Sequence, residues 1–218
     1  MRWLAAAQAD AQQVILLGDI FEAWIGDDLG IATYAEEIAA LRALTDAGVD
    51  LRFMVGNRDF LLGEAFCMAT GARALPDPCI VTLGGRPTLL SHGDQWCTDD
   101  TGYQRYRRVI SHKGLQRLFL RLPRRWRQRI ADRLRQQSRE FTAEKAVTIT
   151  DVSADAIIAA FGHADVDRII HGHTHRPQRH QLTVNGRDCE RIVLPDWTPS
   201  RMEGLRISAD GVLTPTPA

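Results

Sequence analysis

Val14-Ile15-Leu16-Leu17-Gly18-Asp19 sets four apolar residues, most of them branched, directly before a glycine and a carboxylate. A short run of this composition reads as a buried strand, and the Gly-Asp behind it as the loop at the strand's carboxyl end. The arrangement recurs three times. Leu51 to Val55 precedes Gly56-Asn57-Arg58-Asp59, Thr88 to Leu90 precedes Ser91-His92-Gly93-Asp94, and Arg168 to Ile170 precedes His171-Gly172-His173-Thr174-His175. Short buried strands predict an α/β fold, and in open α/β sheets ligands collect outside the carboxyl ends of the strands. Polar clusters spread over more than 150 residues of sequence can therefore converge on one site.

Asp19 and the Asn57 amide are hard oxygen donors, and His92, His173 and His175 are imidazoles. That mixture suits manganese, iron or zinc better than calcium or a thiolate-bound structural zinc. Each signal alone has an ordinary structural reading. Gly-Asp is common as a helix cap or turn, Gly-Asn as a turn with left-handed backbone, and one histidine before a glycine as a loop residue. Three histidines at alternate positions share one face of an extended segment, where an apolar strand has no packing use for them, and this favours metal binding. The cysteines, Cys67, Cys79, Cys97 and Cys189, stand outside these clusters without paired spacing, as free thiols of a reducing cytosol do.

The order Gly-Asp, Gly-Asn-x-Asp, His-Gly-Asp, Gly-His-x-His resembles that of the calcineurin-like metallophosphoesterases. The longer strings Gly18 to Asp28, Gly56 to Gly63 and His171 to Pro177 are similar to the lipid A pathway branch of that family, and the resemblance runs from Met1 to about the end of the chain. It implies an αββα sandwich forming a single domain over 1–218, with a helical insertion, or lid, over 101–147. It implies two Mn²⁺ ions: Asp19 bridging both, Asn57, His92 and His173 completing one, His175 serving the other, and His171 outside the set. Arg58 stands where many members carry a histidine that protonates the leaving group. A guanidinium cannot give up a proton at neutral pH, so its role becomes a fork to the diphosphate. By resemblance Asp19, Asn57, Arg58 and His92 serve catalysis, while Asn57, Arg58, Asp100, Ser138, Thr142, Lys145 and His173 contact substrate, Thr142 standing where a relative has an amide. The implied reaction is hydrolysis of the diphosphate of an acylated UDP-sugar, water readied by two cations attacking the α-phosphorus to release UMP and an acylated sugar 1-phosphate. The implied place is the cytoplasmic face of the inner membrane, as a peripheral protein.

One departure stands out. The family begins with a strand ending in Asp-x-His, which supplies two ligands of the first metal, and nothing before Gly18-Asp19 matches it. Met1 to Ala11, with Trp3, Leu4 and Ala7 at helical spacing, reads as the helix that follows that strand. The sequence thus predicts an absent first strand and a true start upstream, and makes a metal-poor, inactive relative the rival to a two-metal enzyme. Another metal-dependent phosphoesterase of the same superfamily is a second rival.

With 218 residues, 44% hydrophobic and 25% charged, the chain is long enough for one sizeable domain. No apolar run approaches the roughly 18 residues of a membrane span, and Gln8 and Asp10 interrupt Met1 to Ala7 before it could read as a signal peptide. The net charge of zero hides an asymmetry: Arg105 to Arg139 holds twelve arginines and one lysine against Asp132 alone, leaving the remainder net −12. Within that basic segment, Leu115, Leu118, Phe119 and Leu122 form one helical stripe and, beyond Pro123, Trp126, Ile130 and Leu134 form a second. Two short amphipathic helices studded with arginine fit either an anionic membrane surface or packing on the core with a solvated basic face. The resemblance favours a lid whose apolar lining receives acyl chains. A nucleic-acid partner is not expected, since the stripes lack the aromatic interleaving that stacks bases, and Trp126 and Phe119 lie on the apolar side. Thr198 to Ala218 reads as a final strand and a Pro-rich tail.

Overall fold

The computed structural model describes residues 2–144, 151–198 and 203–217. Strands β1 (Gln13–Leu17), β2 (Asp50–Met54) and β3 (Arg73–Ala74) form a parallel sheet in that order, in which, among the described residues, β1 pairs with β2 alone. A second sheet runs β4 (Cys79–Leu83), β5 (Arg86–Ser91), β6 (Arg168–His171), β8 (Arg187–Val193), β7 (Gln178–Val184). Its three central strands are parallel and its edges antiparallel.

Period-two alternation decides which face of each strand meets which neighbour. Ile15, Leu17 and Met54 of the first sheet meet Leu90, Ile170 and Ile192 of the second, a dry seam between the two sheets. The alternate residues Val14, Leu51 and Phe53 turn outward and are covered by α1 (Arg2–Asp10), α3 (Ala35–Asp46) and α4 (Glu64–Thr70) through Leu4, Leu41, Leu44 and Phe66. On the far side Leu89 and Ile169 are covered by Ile157 and Phe161 of α8 (Ala154–Ala164). Helix, sheet, sheet, helix is the αββα order the resemblance implies. A short α2 (Asp27–Thr33) completes the helices of the first half.

The basic segment differs from its expectation. It holds three helices, α5 (Thr101–Ile110), α6 (Lys113–Leu120) and α7 (Arg124–Glu144). Pro123 ends α6 as expected, because it cannot donate to the preceding turn. Beyond it the Arg- and Gln-rich run keeps helical propensity, so α7 extends for 21 residues instead of stopping near Leu134. The apolar stripes divide: Phe119 packs against the core, whereas Leu115, Leu118 and Trp126 are exposed.

The last segment is a hairpin rather than a single strand. β9 (Glu203–Ile207) pairs antiparallel with β10 (Leu213–Pro217) around Asp210-Gly211, a strong short-range hairpin signal. Pro215 and Pro217 are accommodated because, among the described residues, β10 bonds to β9 alone. The Trp3 indole fills the space beside Gly204 and stacks obliquely on Trp197 at 5.2 Å, while Arg206 bonds Asp10 at 2.5 Å, so the hairpin clasps α1.

Candidate metal centre

Parallel register delivers the site. Leu17 pairs with Met54, so the loops opening at Gly18 and Val55 leave the first sheet at one level. Ser91 pairs with His171, and the Gly172 N–H then bonds the His92 carbonyl at 3.0 Å. The sheets are joined where His92 Nδ1 donates to the Leu17 carbonyl at 2.8 Å, bringing all four strand ends together.

Two glycines allow the approach. A Cβ on Gly56 would stand 2.3 Å from Asp19 Oδ1, and one on Gly18 would stand 2.6 Å from His92 Nδ1 and 2.7 Å from the Gly56 backbone. The fully buried Asp59 then locks the loops, accepting the Gly56 N–H at 2.7 Å and the Ile20 N–H at 2.6 Å. Burial and the neighbouring Asp19 charge push its carboxyl up to about 6 against those two donors. Asp19, His173 and His175 hold positive φ angles of 53°, 65° and 55°, a conformation non-glycine residues adopt at a cost and which concentrates at functional sites.

With Nδ1 of His92 committed to Leu17, its Nε2 faces the centre. Asn57 Oδ1 lies 3.0 Å from His92 Nε2 and 3.0 Å from His173 Nδ1, and the two nitrogens are 3.2 Å apart. Asp19 Oδ1 stands 3.8 Å from His92 Nε2, and one ligand atom from each of Asp19, His92 and His173 falls within 4.8 Å of the others. Asn57 Oδ1 has only lone pairs, and the group around it asks for positive charge. Burial works against a charged His92, yet Asp19 and Asp94 raise its pKa above the usual imidazole value. Burial, and then charge on His92, lower His173 to about 4, leaving it neutral with a lone pair to give. Ligands bound at about 2.1 Å and at right angles lie about 3.0 Å apart, so this donor set fits a divalent cation where a proton otherwise sits.

No family model matches the chain. Among curated proteins it is similar to the UDP-2,3-diacylglucosamine hydrolase of Nitrosococcus oceani, with 45% identity over 206 residues, 92% of this chain and 82% of that one. Its similarity to the same enzyme of Ectopseudomonas mendocina is 45% over 213 residues, 97% and 86% of the two chains. For Shigella sonnei it is 43% over 213 residues, 97% and 88%. The chain belongs to the UDP-2,3-diacylglucosamine hydrolases. A likeness to wild-type Vps29 of Entamoeba histolytica complexed with zinc, with TM-score 0.42 and 14% identity covering 100% of this chain and 87% of that one, is too loose to carry an argument.

The other residues singled out by sequence lie as follows. Arg58 donates its backbone N–H to Asp19 Oδ1 at 2.9 Å and presents a partly exposed guanidinium beside the centre. His175, expected on the other metal, is not one of the three residues grouped within 4.8 Å, and its Nδ1 lies 3.6 Å from Asp196 Oδ2. His171, fully buried, lies between the Gly172 carbonyl at 2.9 Å and Arg191 Nη1 at 3.2 Å and is pushed down to about 4 by burial. Asp100 caps α5, accepting the Tyr103 N–H at 2.9 Å. Ser138 and Thr142 fall on the later turns of α7, their side chains outside what the structure describes, and Lys145 lies outside the described residues.

Sequence reasoning missed the supports around the centre. Asp94 Oδ2 accepts from Tyr103 Oη at 2.7 Å and Arg107 Nε at 2.8 Å, while the Tyr103 ring lies 5.5 Å from His173. Asp77 Oδ1 accepts from Ser91 Oγ at 2.6 Å and the His92 N–H at 3.2 Å. Asp94 sat in a quoted motif and was readable as a buried acceptor, but no local signal names Tyr103 or Asp77 as partners. The Arg127 guanidinium is buried as well, bonding the Ile25 carbonyl at 2.5 Å and Asp28 at 2.5 and 2.8 Å, so α7 is pinned to the segment that follows Asp19.

Proposed function

We propose that the chain hydrolyses the diphosphate of UDP-2,3-diacylglucosamine, releasing UMP and 2,3-diacylglucosamine 1-phosphate for lipid A synthesis, with Mn²⁺ held by Asp19, Asn57, His92 and His173. The observation that carries this reading is the contact of Asn57 Oδ1, His92 Nε2 and His173 Nδ1 at 3.0 to 3.2 Å in a chain of this family. When bound, such a cation neutralises phosphate charge and acidifies water. The chain's own part is to hold these donors rigidly through Asp59, Asp77 and the Leu17 carbonyl. Arg58, whose fork matches phosphate oxygens, meets the diphosphate from the open side. Asp100, Ser138, Thr142 and Lys145 contact the sugar and phosphates.

In the same reading the domain spans 1–218, and 101–147 is its lid. The exposed Leu115, Leu118 and Trp126 beside the arginines of α6 and α7 suit acyl chains and an anionic lipid surface, and among the described residues no helix is long and apolar enough to cross a membrane. This supports a peripheral place on the cytoplasmic face of the inner membrane.

The test is hydrolysis of UDP-2,3-diacylglucosamine with and without Mn²⁺, with bound manganese counted per chain. Turnover that needs the ion and disappears in Asp19→Ala is expected. Turnover retained in Asp19→Ala rejects the assignment, and a chain without bound manganese or turnover is the silent relative.

A further inference from the structure

Arg58 is held between two carboxylates. Its backbone N–H is fixed on Asp19 Oδ1, so the side chain starts at the edge of the centre. Its Nη1 turns outward to Glu22, 3.3 Å from Oε1 and 3.2 Å from Oε2, while its Nε stays 3.7 Å from Asp19 Oδ2, short of a hydrogen bond. The Asp19 side chain is 11% exposed and that of Glu22 70% exposed. Attraction across the less solvated pair is screened less, so without Glu22 the guanidinium would close on Asp19, a movement of about 1 Å to reach a charge-assisted bond. A guanidinium seated there competes with a cation for the carboxylate.

We propose that Glu22 is a positioning residue that draws the Arg58 guanidinium off Asp19, keeping that carboxylate open to a divalent cation and Arg58 facing the side from which an anionic substrate arrives. The inference rests on the reading of the centre as a cation site. Glu22 reaches the metal site only through Arg58, and an exposed ion pair is weak enough to release the guanidinium when phosphate oxygens replace the carboxylate.

The experiment is a cycle of four full-length proteins, wild type, Glu22→Gln, Arg58→Ala and the double variant, titrated with Mn²⁺ alone and read as ion affinity by equilibrium dialysis. Loss of Glu22 should weaken Mn²⁺ binding roughly two- to fivefold when Arg58 is present, and should have no effect in the Arg58→Ala background. An equal weakening in both backgrounds would show a simple field effect of the carboxylate and overturn the proposal, as would no change in either. A second reading needs neither ion nor substrate: in isotopically labelled, cation-free protein, the Arg58 Nε resonance should shift on Glu22→Gln. A stationary resonance overturns the proposal even if the chain hydrolyses the acylated sugar nucleotide. A shifted one sustains it even if that substrate is not hydrolysed.

Discussion

At Gly56 the space for a side chain is already taken by Asp19 Oδ1 at 2.3 Å, Asp19 N at 2.4 Å and His92 Cε1 at 2.8 Å. None of these is the loose end of a flexible chain. Gly56→Ala should therefore push Asp19 and His92 apart, and the expected outcome is a protein that folds with a Tm within a few degrees of wild type but binds Mn²⁺ at least tenfold more weakly. Wild-type affinity in that variant would mean that the loop contact does not set the donor geometry. The residues that meet were legible only jointly: Asp19, Asn57 and His92 each read alone as a cap, turn or loop residue, and it was the recurrence of polar clusters behind apolar runs, with the alternate histidines at 171, 173 and 175, that pointed to a metal. What made them meet was not legible. Gly18 and Gly56 read as ordinary turn glycines, since the close approach belongs to two loops nearly 40 residues apart. Glu22 and Asp77 likewise acquire meaning only from partners brought by the fold.

Among the elements, the four strands that carry the polar clusters were legible from their short branched apolar runs, whereas β3, β4, β7 and β8, whose residues alternate with polar ones or are too few, were not. Helices α6 and α7 were read as amphipathic, but the sequence could not say which apolar residues would be covered. Leu118 and Phe119 are adjacent, yet Phe119 packs on the core and Leu118 stays in solvent, a choice made by how the helix rests and not by its periodicity. Asp100, expected at the sugar, also caps α5, and an Asp directly before Thr101 at the start of that helix is a local signal for the cap. The anchor of α7 is Arg127, whose guanidinium bonds Asp28, Ile25 and the Leu122 carbonyl and holds the Asp28 carboxyl below the usual carboxylate range. Arg127→Ala should cost about 1 to 2 kcal/mol at this contact, most of it from the half-buried Ile25 and Leu122 carbonyls that lose their donor, since Asp28 regains water. Amide exchange should rise in α6 and α7 while α3 keeps its protection. Uniform loss of protection across both would show that these helices are one cooperative unit with the core.

For the molecule as a whole, acid should act through histidines buried uncharged. His171 falls from 6.5 in the unfolded chain to about 4 in the folded one, so between those values the unfolded state binds the extra proton. Its contribution is fully present above pH 6.5 and is lost as pH falls toward 4, about 3 kcal/mol in all. Urea unfolding at steps through that window should show a shallower pH dependence for His171→Gln than for wild type, whatever the variant's absolute stability, and identical slopes would remove His171 from the acid response. One further consequence comes from the clasp of the β9–β10 hairpin on α1. Trp3 and Gly204 lie some 200 residues apart, so on a ribosome the indole emerges long before its cover has been made. The Trp3 side of α1 stays sticky through nearly the whole of translation, and a chain halted before β9 leaves that ring without its cover, for a chaperone or a protease to find.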